Sequence, residues 1–464
     1  MKLPLALVGD GGLVTCADAQ QRPYIALDAA ASTGALAQVM DRVVDFVPSY
    51  SSVHRGAGYK SQYSTAQYEA AREAALVFAQ RGDGDVAIIC RNTTEAINHL
   101  AFRLDLRHDD VIVTTVIEHH ANLLPWSRAA TCRYVECAAD GTYTLADVLE
   151  ALDAAPRPRL LTLSGASNIT GWMPPLSEII DAAHDRGVVV VVDAAQLAPH
   201  RPLPPNADFV VWSGHKMYAP FGTGILIGPR TAFSHGEPFL AGGGAVDFVD
   251  LDEVLWTTPP EREEAGSPNV VGAVALHAAF DALTEIGWPA IIEHDRQLAR
   301  QLREGLMSIP GVRVLGPGLD VETLPVATFT VRDVPFALVA ARLSAEFAIG
   351  VRHGCFCAHP YLMRLLGLGA AEVASFREQI RGGDRRTIPG AVRASCGINT
   401  SDGDVRRLLD ALARIASGRD APVAYHQDPA TGDYYPDAVG DSDGDAATGV
   451  DARARRHGGS CSPG

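Results

Sequence analysis

The chain has 464 residues, 47% of them hydrophobic, and a formal net charge of −16. That length exceeds one average domain and can bury a large core, so two domains are expected. The acidic balance argues against nucleic acid as a main partner, because phosphate binding needs clustered Lys and Arg, and no apolar run approaches the ~20 residues of a membrane helix. The first residues, Met1 to Val14, lack the charged and apolar regions of a signal peptide. A soluble, cytoplasmic protein with reduced thiols is therefore expected, although the chain carries eight cysteines.

Residues 1–35 read as an irregular arm with one short strand near 24–27. A helix is expected over 65–80, stopped by Gly82. Strands then alternate with helical segments, at 86–90, 111–115, 160–163, 188–192, 209–212 and 224–227. The run of five valines at 188–192 is apolar on both faces, as in a parallel strand covered by helices on each side. The alternation implies an α/β layered domain. Helices are expected over 267–287 and 289–308. Pro310-Gly311 and Gly316-Pro317-Gly318 then mark a boundary. The resulting division is an arm at 1–35 joining the small domain, a large domain at 36–310, a small α+β domain at 311–418 and an acidic tail at 419–464. The tail lacks apolar periodicity and reads as disordered. Its Tyr425, Tyr434 and Tyr435 are candidates for local docking.

Four segments end expected strands with chemically suggestive residues. The chain has only three lysines, Lys2, Lys60 and Lys216, and the last stands in Ser213-Gly214-His215-Lys216 directly after an apolar strand. A lysine there can form a Schiff base with an aldehyde. Asp193 ends the valine strand, where a charge needs a partner; a protonated pyridine nitrogen would serve, and so would capping of the next helix. Thr93 and Thr94 follow another strand and suit a phosphate at a helix N-terminus, or an ordinary helix cap. His119, in Glu118-His119-His120-Ala121-Asn122, could stack on an aromatic ring, move protons, or belong to a surface loop. An aldehyde trap, a ring-nitrogen partner, a stacking ring and a phosphate cradle are what pyridoxal 5'-phosphate requires. The Cys355-x-Cys357 spacing could suggest a metal, but no second Cys/His pair at finger-like spacing follows, so no metal is expected.

In these motifs the chain resembles the class V aminotransferase-like enzymes, most closely SufS-type cysteine desulfurases. The resemblance runs from about Tyr24 to Ser417 and includes Ser51-Ser52-Val53-His54-Arg55-Gly56, Ser167-Asn168, Glu264-Ala265-Gly266-Ser267-Pro268-Asn269 and Val392-Arg393-Ala394-Ser395. It implies the type I aminotransferase-like fold, with a large mostly parallel-sheet domain and a smaller C-terminal domain. It implies pyridoxal 5'-phosphate bound by Lys216, Asp193, Gln196, His119, Thr93, Thr94, Ser213 and His215. Ser267 would reach the phosphate from the other subunit of a homodimer. Arg393 would clamp the substrate carboxylate, with Asn168, Arg352 and His54 also at the substrate. In Arg352-His353-Gly354-Cys355-Phe356-Cys357-Ala358-His359-Pro360, Cys357 aligns with the cysteine that attacks substrate sulfur and leaves as a persulfide, for which a sulfur-acceptor protein would be a partner. The family usually has His-His where this chain has Cys355-Phe356, and that run is also similar to the sulfurase domain of molybdenum-cofactor sulfurases. The implied reaction converts L-cysteine to L-alanine. Because one scaffold hosts many reactions, the alternative is a lyase, epimerase or deaminating enzyme acting on a modified amino acid or S-conjugate. A non-catalytic scaffold fits poorly with the joint presence of Lys216, Asp193 and Arg393.

Overall fold

The valine run becomes the strand Val189–Asp193, at the centre of a seven-stranded sheet. Across the sheet the order is Asp85–Cys90, Gly224–Pro229, Phe209–Ser213, Val189–Asp193, Leu160–Ser164, Val111–Thr115 and Thr131–Val135. Gly224–Pro229 runs antiparallel to both neighbours, and the other strands share one direction. The structure, a computed structural model, describes residue 3 and residues 5–437. Successive side chains of a strand point to opposite faces, so the valine strand feeds two separate cores. Val190 and Val192 pack with Leu161, Leu163 and Val113 on one face. Val191 packs with Ile112, Phe209 and Val211 on the other. An apolar run with no polar alternation is what burial on both faces requires.

A second, antiparallel sheet orders Val312–Leu315, Val326–Val331, Ala391–Ser395 and Arg352–Gly354. Phe329, Val392, Leu343, Leu408 and Leu412 form its core. The helix Trp288–Ser308 lies within the range assigned from the sequence to the larger domain, yet its Leu298, Leu302 and Leu306 complete this smaller core. In the N-terminal arm, Ile25–Ala26 pairs in parallel with Ile349–Gly350.

The tail expected to be disordered from residue 419 instead begins with a hairpin, Tyr425–Gln427 paired with Tyr434–Pro436. It lacks apolar periodicity because polar contacts hold it. Arg385 donates its backbone N–H to Pro429 O, and the Tyr425 hydroxyl meets Glu346 Oε1 at 3.2 Å. The rest of the expected disorder, 438–464, lies outside the described residues, as does Lys2. Among the described residues no single helix is long and apolar enough to cross a membrane.

Candidate active site

In an open parallel sheet the strand C-termini face a crevice where ligands bind. Here Ser164, Asp193 and Ser213 each end a strand at one cavity of about 380 Å³. The cavity also takes in Thr93, Thr94, His119, Asn168, Gln196, His215, Lys216, Arg352, Cys357 and Arg393. Residues spread over 300 positions are thus gathered on one surface.

Lys216 closes a short 3₁₀ turn, Gly214–Lys216, straight after its strand. A Cβ on Gly214 would stand 3.0 Å from Thr223 O and 3.1 Å from Ala219 O, so a side chain there would push the turn outward. The Lys216 amine is enclosed, and burial pulls its pKa down to about 8 against the opposing pull of Asp193. Burial also pushes the Asp193 carboxyl up, while a hydrogen bond from Ala195 N and the charge of Lys216 favour its ionised form. Gln196 is oriented by donating to Ala30 O at 2.7 Å.

His119 accepts from Ala121 N through Nδ1 at 3.1 Å. That contact fixes the tautomer, leaving Nε2 to carry the ring proton. Burial and then the Lys216 charge lower its pKa to about 3, so the ring is neutral near pH 7. Immediately before it, Glu118 accepts from Thr115 Oγ1, Asn122 Nδ2, Ser164 N and Ser164 Oγ at 2.6–3.0 Å. Burial raises this carboxyl to about 7 against those bonds. Glu118 thereby ties the ends of two strands to the His120–Asn122 turn.

Asn92 caps the helix Thr93–Arg103 by accepting from Glu95 N. Ser213 Oγ accepts from Thr93 N at 2.8 Å and lies 2.6 Å from Thr93 Oγ1, so an oxygen already sits at the helix N-terminus. Thr94 and His215 flank it on the cavity wall.

The facing wall belongs to the small domain. Arg393 is buried in the strand Ala391–Ser395. It donates to Asn168 O at 2.9 Å and to Asp28 Oδ1 at 3.0 Å, while its Nε has no hydrogen-bond partner. Arg352 approaches the same Asp28 carboxylate at 3.8 Å. The Phe356 ring lies 5.1 Å from the Arg393 guanidinium carbon. Cys357 follows in a turn closed by Ala358 N donating to Cys355 O. Phe356 and Cys357 have φ of +54° and +52°, which costs about 1–2 kcal/mol for each non-glycine residue. Contacts from outside hold the turn: Asn168 Nδ2 donates to Phe356 O at 2.7 Å, and His120 N to Cys357 O at 2.8 Å.

Two expected site residues stand apart. His54 does not line the cavity of its own chain; its ring packs edge-on to Tyr68, with Nδ1 3.7 Å from Glu69 Oε1. Ser267 is exposed on a loop outside the cavity of its own chain. Conversely, Asp28 and the buried Glu118 were not singled out from the sequence as site groups. Asp28 carries no motif signal, whereas Glu118 was visible as an acid after an apolar strand. Among the described residues no group of three or more His, Cys, Asp or Glu is placed to hold a metal ion.

The donor set suits pyridoxal phosphate: an enclosed amine, a buried carboxylate on the same cavity, a neutral imidazole, and hydroxyls at a helix N-terminus. Fold and site together define a type I pyridoxal-phosphate scaffold. Residues 25–408 match the family model described as aminotransferase class-V, and the chain belongs to that family. It is 35% identical to a probable cysteine desulfurase of Halalkalibacterium halodurans, over 76% of this chain and 88% of that one. It is 32% identical to a cysteine desulfurase of Serratia proteamaculans, over 89% and 99%. Among solved structures it is similar to the apo cysteine desulfurase of Thermococcus onnurineus NA1, with a TM-score of 0.76, 30% identity and coverage of 85% and 95%.

Proposed function

We propose that the chain is a cytoplasmic, pyridoxal-phosphate-dependent cysteine desulfurase that converts L-cysteine to L-alanine and leaves a persulfide on Cys357. The observation that carries this reading is the meeting of Lys216, Arg393 and Cys357 at one cavity. Lys216, Asp193, Gln196, His119, Thr93, Thr94, Ser213 and His215 would hold the cofactor. When bound, the cofactor supplies an aldehyde that links to amines and a ring that withdraws electrons from the substrate α-carbon. Arg393 binds the substrate carboxylate in place of Asp28, helped by Arg352 and Asn168. Lys216, with its lowered pKa, is available as a neutral base for the α-proton. The Arg393 guanidinium and the Cys357 thiol share the cavity and interact electrostatically, which places a permanent positive charge near the nucleophile. As the Cys357 Sγ–S bond forms, the substrate Cβ–S bond breaks. The electron pair of that bond stays with Cβ, which takes the proton given up by the Cys357 thiol, and Lys216 returns the abstracted proton to Cα, giving alanine; the neutral His119 ring lies on the same cavity wall.

The names of the relatives favour this reaction over the lyase, epimerase or deaminase alternative. We also read the active form as a homodimer in which Ser267 reaches its partner's cavity. Support comes from the exposed Phe248, Val249, Leu251 and Leu255 on and beside one hairpin, an apolar surface that water disfavours. Arg55 Nη2 donates to Val246 O, which sets the His54 segment beside that hairpin. The persulfide would pass to a sulfur-acceptor protein. The test is alanine formation from L-cysteine by wild type and Cys357→Ser. Alanine release by wild type and its loss in the variant support the reading; undiminished release in the variant ends it.

A further inference from the structure

The hairpin at 425–436 lies beyond residue 408, where the family match ends, yet it touches segments that lead to the cysteine turn. Two routes connect them. In the first, Asp433 Oδ1 lies 3.5 Å from His353 Nε2. His353 is the middle residue of Arg352–Gly354, an edge strand of three residues that leads straight into the turn. In the second, the hairpin grips the segment 385–389: Arg385 N donates to Pro429 O, and Gln427 Nε2 donates to Arg386 O at 3.0 Å. Pro389 O, at the end of that segment, receives the Cys355 thiol at 3.3 Å. The hairpin thus approaches the turn through the strand before it and through the side chain of its first residue.

A turn with two successive left-handed non-glycine residues persists only where its surroundings over-determine it. Asn168 and His120 fix the carbonyls at the tip. We propose that the C-terminal hairpin supplies the rest of that constraint, and that Asp433 is a positioning residue for Cys357. An edge strand of three residues has one unpaired side and little stability of its own. Bracing at His353 fixes where the strand ends and hence where Cys357 Sγ meets the cavity.

This inference rests on Cys357 being the reacting thiol, and its test has a readout independent of turnover. Two full-length holoenzyme variants are compared with wild type. Asp433→Asn removes the charge at His353. Gly432→Ala places a Cβ 2.6 Å from Arg385 O at a residue with φ of +80°, levering the hairpin off the segment 385–389. Alkylation by iodoacetamide is followed residue by residue by mass analysis, with KM and kcat for L-cysteine measured alongside. In both variants Cys357 alkylation is expected to accelerate about threefold or more, with kcat reduced, KM little changed, and Asp433→Glu restoring wild-type behaviour. Cys357 alkylation at the wild-type rate in both variants overturns the proposal, as does equal acceleration at every cysteine, which would signal general loosening. A wild-type protein that forms no alanine would defeat the desulfurase reading while leaving the alkylation comparison intact.

Discussion

Asp193, Ser213 and Lys216 grow from the ends of buried, hydrogen-bonded strands, whereas Cys357 hangs from a left-handed turn held by contacts from three other segments. On the first wall, Asp193 pairs in register with Ser164 and Val211 on the two neighbouring strands. On the second, Phe356 and Cys357 are kept at positive φ by Asn168, His120 and the packing of Phe356 beneath Arg393. The difference separates two tasks. Groups that hold a cofactor need fixed geometry, which a parallel sheet provides without strain. A nucleophile that accepts a sulfur atom and then surrenders it benefits from a segment whose position depends on a few breakable contacts.

The largest effect is expected at Lys216. Lys216→Ala should lower alanine formation by about 10³-fold or more, and borohydride should no longer fix cofactor covalently to the protein, as mass analysis would show. Fixation at another lysine would mean that the first wall has been misread. Arg393→Lys replaces a planar, doubly bonded clamp with a single ammonium. It should raise KM for cysteine by about 10- to 100-fold while covalent cofactor fixation at Lys216 persists.

The pH dependence sharpens the first wall further. A neutral amine is needed to react with the cofactor aldehyde, and burial lowers the Lys216 pKa to about 8. The rate of cofactor uptake by apoprotein should therefore climb about tenfold per pH unit below that value and level off above it. An exposed lysine would keep accelerating to about pH 10. Phe356→Leu touches only the second wall and should have the smallest effect. Losing the ring over the Arg393 guanidinium should raise KM about two- to fivefold, without altering the pH profile of cofactor uptake.

The first wall was legible in the sequence because each group follows an apolar strand run. Lys216, Asp193 and Thr93 could be placed from strand ends alone, and the valine run announced its two buried faces. Thr131–Val135 was not legible: it is an edge strand with only its last residue fully buried and no apolar pattern to reveal it. The second wall was legible only through resemblance. Nothing local marks Asp28 as the carboxylate that occupies Arg393, since the two are 365 residues apart and meet only in the fold. Phe356 stood out as a departure, but its place beneath Arg393 depends on the left-handed turn, which no glycine signals. The hairpin after residue 419 was missed because polar contacts hold it in place of an apolar stripe.

The most direct test of the account is a single turnover with L-cysteine, followed by mass analysis of the peptide that contains Cys355 and Cys357. A reacting Cys357 gains one sulfur atom for each alanine formed, and Cys357→Ser gains none. Alanine released with no added sulfur on Cys357, or with the sulfur on Cys355 alone, would contradict it.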